Sequence, residues 1–315
     1  TSKKFKESVI KCHQYLHKTY SIDLIPTYED QNGGKIERNT LNSQIKIFTL
    51  QYGLGEVFKS WGIKPDFVLG HSLGEYTAAL NAGIIQLQDA LDLIVARGSL
   101  MLKVQENTGM LNVHANLNKI KAIAKTEKYE VACINNEQNY VIAGTNSDLS
   151  KIKERLENNG VYCKMLDIPL ACHTSYLTET AQLFKGAIEG INFKKAEIKF
   201  YSNVTGKSDA AMAVNAEYWA NHMIKPVQFD ECLTQLSKDK PTLVLDMGGN
   251  PFLATCIDEH KHQHINGKVV PTITSREKDD QSLCQVLDRC FQLGMELDWK
   301  QVLIDLRSTY LSKSA

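Results

Sequence analysis

At 315 residues the chain is long enough for one large domain, or two smaller ones, around a sizeable core. Its 36 basic residues balance 36 acidic ones, so no overall field favours nucleic acid or an anionic membrane. The longest apolar runs are strand-sized and no signal peptide opens the sequence, which predicts a cytoplasmic protein without a membrane span. Its eight cysteines are scattered without a Cys-x-x-Cys pair and read as reduced core residues, not as a disulfide frame or a zinc knuckle.

In chain order, an amphipathic helix is predicted over 5–20, a polar loop over 31–39 and a long helix over 41–60. The break Trp61-Gly62-Ile63-Lys64-Pro65 leads into Phe67-Val68-Leu69, an apolar run read as a buried strand. Gly70-His71-Ser72-Leu73-Gly74 follows, and then a helical pattern over 73–80 that ends near Gly83. A serine between two glycines at a strand-to-helix join is the pattern of a nucleophile elbow, in which small residues let the backbone close and the Leu73 N–H faces an oxyanion formed at Ser72. A tight turn without chemistry is the bland alternative.

A helix over 87–104 comes next. The rhythm then changes to strand 110–115, helix 117–124, strand 130–134, strand 140–143, helix 147–158 and strand 161–166. That βαββαβ order is ferredoxin-like and predicts a small subdomain at 110–167, inserted into a larger domain made of 1–109 and 168–315. The alternation resumes with strand 196–202, helix 216–223, strands 242–246 and 269–273, and helix 282–293, so the larger part reads as a parallel sheet flanked by helices.

A serine hydroxyl needs a base, and the chain holds nine histidines. His71 neighbours Ser72, but successive side chains at an elbow point different ways. His13 and His17 stand one turn apart on a surface helix, and His114 falls on a predicted strand. His260, His262 and His264 alternate in a polar run without a carboxylate or cysteine frame and read as a solvated loop. His173, in Pro169-Leu170-Ala171-Cys172-His173, lies where the chain crosses back from the insert and borders the cleft between the two parts. By sequence logic alone it competes with a structural histidine and with the late histidine cluster.

Arg97 is a second anomaly. It follows Ala90, Leu93 and Ile94 on the apolar face of its helix, with Met101 one turn on. A buried cation needs an anionic partner, either an internal carboxylate such as Glu75 or Asp89 or a carboxylate on the substrate.

With Ser72, Arg97 and His173 identified, the sequence resembles the malonyl-CoA:acyl carrier protein transacylase family, most of all the acyltransferase domains of polyketide synthases. The matching stretches include Gly70-His71-Ser72-Leu73-Gly74-Glu75-Tyr76, Ala96-Arg97-Gly98, Ala132-Cys133-Ile134-Asn135, Ala171-Cys172-His173, Tyr201-Ser202-Asn203-Val204-Thr205-Gly206 and Pro226-Val227-Gln228-Phe229. The closing Gly294-Met295-Glu296-Leu297-Asp298-Trp299 looks like the segment that follows such domains.

The resemblance implies an α/β-hydrolase-like core with a ferredoxin-like insert and a ping-pong reaction. Ser72, deprotonated by His173, takes the acyl group of malonyl-CoA or a related thioester and passes it to the phosphopantetheine thiol of an acyl carrier protein. By the same resemblance a backbone carbonyl at His222 orients the base, and Arg97 pairs with the free carboxylate of the acyl unit. His71, Met101, Cys172 and Asn135 fall at positions that line the substrate. Neighbouring polyketide synthase domains are implied partners, and the chemistry calls for no metal or organic cofactor.

The sequence departs from the family in two places. The family opens with a strand and a Gly-Gln-Gly-Ser-Gln loop whose glutamine backbone supplies half of the oxyanion hole, and the sequence from Thr1 is read as starting downstream of both. Leu170-Ala171-Cys172-His173 replaces the His-Ala-Phe-His of malonyl-selective members, and the small Cys172 leaves room beside the acyl α-carbon. Two rivals remain: a serine hydrolase of the same fold with water as acceptor, and an inactive acyltransferase-like docking domain.

Overall fold

Short polar side chains set the ends of the first helices. In the computed structural model, which describes residues 2–24, 39–104, 107–208, 214–249, 251–259, 265, 269–273 and 279–311, helix α1 (Lys3–Tyr20) starts where Ser2 Oγ accepts the Phe5 N–H and stops at Ser21, whose φ is 56°. Asn39 caps α2 (Thr40–Ser60) in the same way, and α2 packs on α1. Strand β1 (Phe67–Leu69) turns into α3 (Gly74–Asn81), and α4 (Leu87–Met101) follows, ending earlier than its sequence pattern suggests.

The expected βαββαβ unit is present as β2 (Thr108–Val113), α5 (Leu117–Ile123), β3 (Glu130–Asn136), β4 (Asn139–Thr145), α6 (Asn146–Asn158) and β5 (Cys163–Met165). Its strands lie in the order β5-β2-β4-β3, each neighbouring pair antiparallel. Strand β2 is buried along its whole length because it serves two cores. Leu111 and Val113 pack with Ile120, Leu149 and Ile152 from α5 and α6, whereas Met110 joins the main core on the opposite face. A slip of one residue would exchange the two sets, so burial on both faces fixes the register.

The remaining elements are α7 (Thr178–Ala187), β6 (Lys199–Tyr201), α8 (Ala216–Ile224), β7 (Val227–Gln228), α9 (Phe229–Lys238), β8 (Val244–Asp246), α10 (Phe252–Asp258), β9 (Val269–Pro271), α11 (Asp279–Gln292) and α12 (Trp299–Leu311). Strand β7 adds in parallel to the edge of the small sheet, pairing Val227 with Cys133 and Gln228 with Ile134. The small sheet is thereby joined by backbone hydrogen bonds to the chain that returns from it. Sequence patterning has no signal for this strand, because two residues cannot display an alternation.

The parallel part differs from the single sheet suggested by the sequence. Among the described residues β1 pairs with β6 and β8 pairs with β9, both in parallel, and no ladder joins the two pairs. A cavity of about 700 Å³ lies between them, lined by β1 on one side and β8 on the other. The C-terminal stretch folds back on the break before β1: the Asp298 N–H donates to the Trp61 carbonyl, and the Trp61 indole N–H donates to Asp305 at 3.0 Å.

Candidate active site

The elbow is built by close approach of a strand to the helix that follows it. A Cβ on Gly70 would lie 2.2 Å from the Glu75 nitrogen and 2.3 Å from its Cα, so only glycine fits. Gly74 is different: a Cβ there would meet only the Gln51 carboxamide, at 3.7 Å. The turn therefore depends sterically on one of the two glycines. Ser72 sits at φ 50°, in the left-handed region that non-glycine residues enter at a cost. Its own N–H donates to Asn203 Oδ1 at 2.7 Å, whereas the Leu73 N–H has no acceptor among the described residues. Of these two amides, only the one at Leu73 is free for a ligand.

The Ser72 hydroxyl meets His173 Nε2 at 2.7 Å, and His173 Nδ1 lies 2.9 Å from the backbone carbonyl of His222. A carbonyl can only accept, so Nδ1 carries the proton and Nε2 offers its lone pair to the serine O–H. Burial, aided by the charge of Arg97, pushes the His173 imidazole down to about 3, which keeps it neutral near pH 7. The crossing segment that carries His173 is pinned at several points. The Ala171 N–H donates to Thr108 Oγ1, the His173 N–H to the Met223 carbonyl, and the Ser175 N–H to Glu130 on β3. The segment thereby carries His173 to the Ser72 hydroxyl.

Arg97 is 4% exposed and has no carboxylate within ion-pair distance among the described residues. Its guanidinium lies over the Tyr76 ring at 5.9 Å, and its Nε has no hydrogen-bond partner. Glu75, the internal partner considered from sequence, is engaged elsewhere, by the Tyr218 hydroxyl and the Asn203 N–H. Its carboxyl, buried without a formal cation, is pushed up to about 8. Met101 lies one turn beyond Arg97, 3% exposed, and its sulfur takes the Gln44 amide N–H at 3.4 Å. Cys172 is buried beside His173, and burial pushes its thiol above the ordinary range.

His71 points away from the serine. Its Nε2 donates to Asn135 Oδ1 at 2.8 Å, and Asn135 Nδ2 donates in turn to Asn139, so the elbow is wired to the β3–β4 hairpin. Phe229 meets the His71 ring edge-on. Burial lowers the His71 imidazole and leaves it neutral. The His13 and His17 rings lie 5.6 Å apart, tilted, on α1, and His114 lies exposed against Tyr162, all on other elements than the relay. His260, His262 and His264 lie outside the described residues.

Two groups escaped the sequence reading. Asn203 sits just past β6, 1% exposed, and bridges the elbow backbone; its sequence signals are a polar residue after a buried strand and its place in the matching stretch 201–206, neither of which indicates this role. Gln44 is 6% exposed with its Oε1 unpartnered, and its signal is a polar residue in the buried stripe that continues through Phe48 and Tyr52.

Residues 1–295 match the acyl transferase domain family. Orsellinic acid synthase armB of Armillaria mellea is 27% identical over 331 residues, which cover 99% of this chain and 15% of that protein. The non-reducing polyketide synthase VdtA of Byssochlamys spectabilis is 30% identical over 274 residues, covering 84% of this chain and 12% of that one. This chain thus spans a small fraction of the length of the curated relatives it matches. The acyltransferase domain from the second module of the salinomycin polyketide synthase superposes with a TM-score of 0.85 at 24% identity, over 98% of this chain and 72% of the other. The malonyl CoA-acyl carrier protein transacylase of Clostridium perfringens gives 0.80 at 21% identity, over 93% of each chain. At these identities the structural likeness establishes the fold, and the family match, running from the first residue past the last element of the relay, makes this chain a member of the acyl transferase domain family and an acyltransferase.

Proposed function

We propose that the chain transfers a malonyl-type acyl group from a cytoplasmic coenzyme A thioester to the phosphopantetheine thiol of an acyl carrier protein, in polyketide or fatty acid biosynthesis. The observation that carries this reading is the buried guanidinium of Arg97, which has no carboxylate partner among the described residues and whose charge is felt by His173 and Cys172. A cation left in that state awaits an anion, and a carboxylate on the acyl unit supplies one in bidentate geometry. The structure of the acyl transferase domain of SpnD in complex with 2-(pent-4-yn-1-yl)malonyl, at TM-score 0.80 and 22% identity, supports a malonyl-type ligand for this fold.

In the first half-reaction the Ser72 O–H proton passes to His173 Nε2 while Oγ attacks the thioester carbon. The resulting oxyanion faces the Leu73 N–H, and the His222 carbonyl steadies the imidazolium through Nδ1. Collapse expels the coenzyme A sulfur, which takes the proton from His173. In the second half the carrier thiol gives its proton to His173, its sulfur attacks the acyl-serine, and Ser72 leaves reprotonated. Cys172 forms a small, neutral wall that admits a substituted α-carbon, a discrimination worth about 1–3 kcal/mol. His71 and Asn135 shape the pocket as a bonded pair. We also take 110–167 as the small subdomain and 1–109 with 168–315 as the large one, with neighbouring synthase domains as partners.

Intact-protein mass spectrometry after mixing with malonyl-, methylmalonyl- or acetyl-CoA tests the reading. A malonyl or methylmalonyl adduct that disappears in Ser72→Ala and moves to a phosphopantetheinylated carrier protein is the expected result. Rapid release of free acid without transfer would instead identify a hydrolase, and absence of both adduct and free acid would leave a docking domain.

A further inference from the structure

The nucleophile elbow is held from outside by a carboxamide. Asn203 Nδ2 donates to the Gly70 carbonyl at 2.6 Å, and Asn203 Oδ1 accepts the Ser72 N–H at 2.7 Å. One planar side chain therefore spans His71 and fixes the peptide groups before and after it. The Asn203 backbone is equally committed: its N–H donates to Glu75 Oε2 at 2.8 Å, and its carbonyl accepts the Gln228 N–H at 2.8 Å. Glu75 is in turn bonded by the Tyr218 hydroxyl, which also meets Ser202. Asn203, Glu75, Tyr218 and Ser202 are all buried, while Ser72 is half-buried.

We propose that Asn203 is the positioning residue of the reaction: its carboxamide clamps Gly70 and Ser72 so that the strained serine keeps its hydroxyl on His173 and leaves the Leu73 N–H as the oxyanion donor. The inference rests on the acyl-serine reading above. Its warrant is the chemistry of the two contacts. One requires a donor and the other an acceptor on the same planar group, which an amide supplies and an ionised carboxylate does not. Without the clamp, the left-handed backbone of Ser72 is free to relax, and a displacement of about 1 Å in a reacting group costs on the order of a hundredfold in rate. Asn203 touches no reacting atom itself, so its effect falls on the chemical step and not on substrate affinity.

Single-turnover acylation by saturating malonyl-CoA, followed by mass spectrometry of Ser72, reads that step, and the Kd of malonyl-CoA in a Ser72→Ala background reads binding. Asn203→Ala is expected to slow acylation about a hundredfold while the Kd changes little. Asn203→Asp is the isosteric second variant. When protonated, its carboxyl can make both contacts; when ionised, it loses the donor to Gly70. Among the titratable neighbours Glu75, Tyr218 and Cys232 are raised, and His71, His173 and His222 are lowered, all by burial first, and they are common to variant and parent, so a comparison of the two at each pH between 5.5 and 7.5 isolates the new carboxyl. The deficit of Asn203→Asp relative to the parent is therefore expected to shrink on acidification. Acylation of a folded Asn203→Ala at the parental rate would overturn the proposal, as would an Asn203→Asp deficit that stays constant with pH. A parent protein that never takes an acyl group on Ser72 would sink the acyl-serine reading itself, whereas a parent and an Asn203→Ala that acylate equally would sink only the clamp.

Discussion

Ser72 and His173 meet through their side chains at 2.7 Å, and both hold a positive φ, 50° and 61°. Only two other non-glycine residues in the described chain do so, both at the ends of helices or turns. Left-handed backbone at two β-carbon-bearing residues costs of order 1–3 kcal/mol each, and it persists where the surroundings over-determine it. Here the surroundings are the Asn203 clamp on one residue and the Met223 and His222 carbonyls on the other. The strain aims two side chains at one point.

The first expectation concerns the base. His173→Gln removes the lone pair that takes the serine proton, and general-base assistance contributes about 10²–10⁴-fold. Acylation of Ser72 should fall by that range with the Kd of the thioester nearly unchanged. A loss smaller than tenfold in single-turnover measurements would place the base elsewhere.

Arg97→Ala should exchange one substrate class for another. Hydrogen bonds to a charged group are worth about 1.5–3 kcal/mol, so malonyl-CoA should lose roughly 10- to 150-fold in kcat/KM. Acetyl-CoA has no carboxylate to lose. The bare guanidinium also depresses the His173 imidazole, and its removal should make the base stronger toward acetyl-CoA. Competition between the two donors, read as the ratio of acetyl to malonyl adducts, measures both effects; an unchanged ratio would return Arg97 to a structural role.

Much of this site was legible because its residues break the pattern of their elements. Ser72 interrupts a strand-to-helix join with glycine beside it, Arg97 stands on an apolar helix face, and His173 follows the last strand of the insert. The residues that hold them were not legible in the same way. Asn203 and Glu75 reach the elbow and each other across sequence separations of 131 and 128 residues, which no local period reports. The βαββαβ order could be read because its strands are long enough to alternate. The pairing of β7 and the separation of β1–β6 from β8–β9 arise from two- and three-residue strands whose partners are set by tertiary packing.

The two elbow glycines should respond differently to alanine. At Gly70 the added methyl would overlap the backbone of Gly74 and Glu75, which cannot move without opening the turn, so Gly70→Ala is expected to destabilise by about 4 kcal/mol or more. At Gly74 the methyl meets one side-chain amide at van der Waals distance, and alanine is the better helix former by about 1 kcal/mol. Urea unfolding of both variants checks this. Equal losses would mean that the close approach at Gly70 does not limit the turn.

Stability should peak near pH 6.5, because the buried groups of the site carry opposite signs of linkage. His71, His173 and His222 are held below the ordinary imidazole value, His173 at about 3. Below pH 6.5 the unfolded chain binds protons that the folded protein refuses, so stability is lost as pH falls, by about 1.4 kcal/mol per pH unit for His173, with His222 and His71 adding loss in the same direction. Glu75 acts the other way. Its folded carboxyl titrates at about 8 against an ordinary value of 4.5, so the folded protein holds a proton that the unfolded chain releases, and stability declines as pH rises through that window. Between pH 4.5 and 6.5 the histidines outnumber Glu75, and between 6.5 and 8 Glu75 acts without them. Urea unfolding at pH 5.5, 6.5 and 7.5 should therefore show a maximum at the middle value. Glu75→Gln should flatten the alkaline decline of about 1.4 kcal/mol per unit and leave the acid limb in place, whereas an alkaline limb indifferent to Glu75→Gln would mean that Glu75 is ionised in the folded protein.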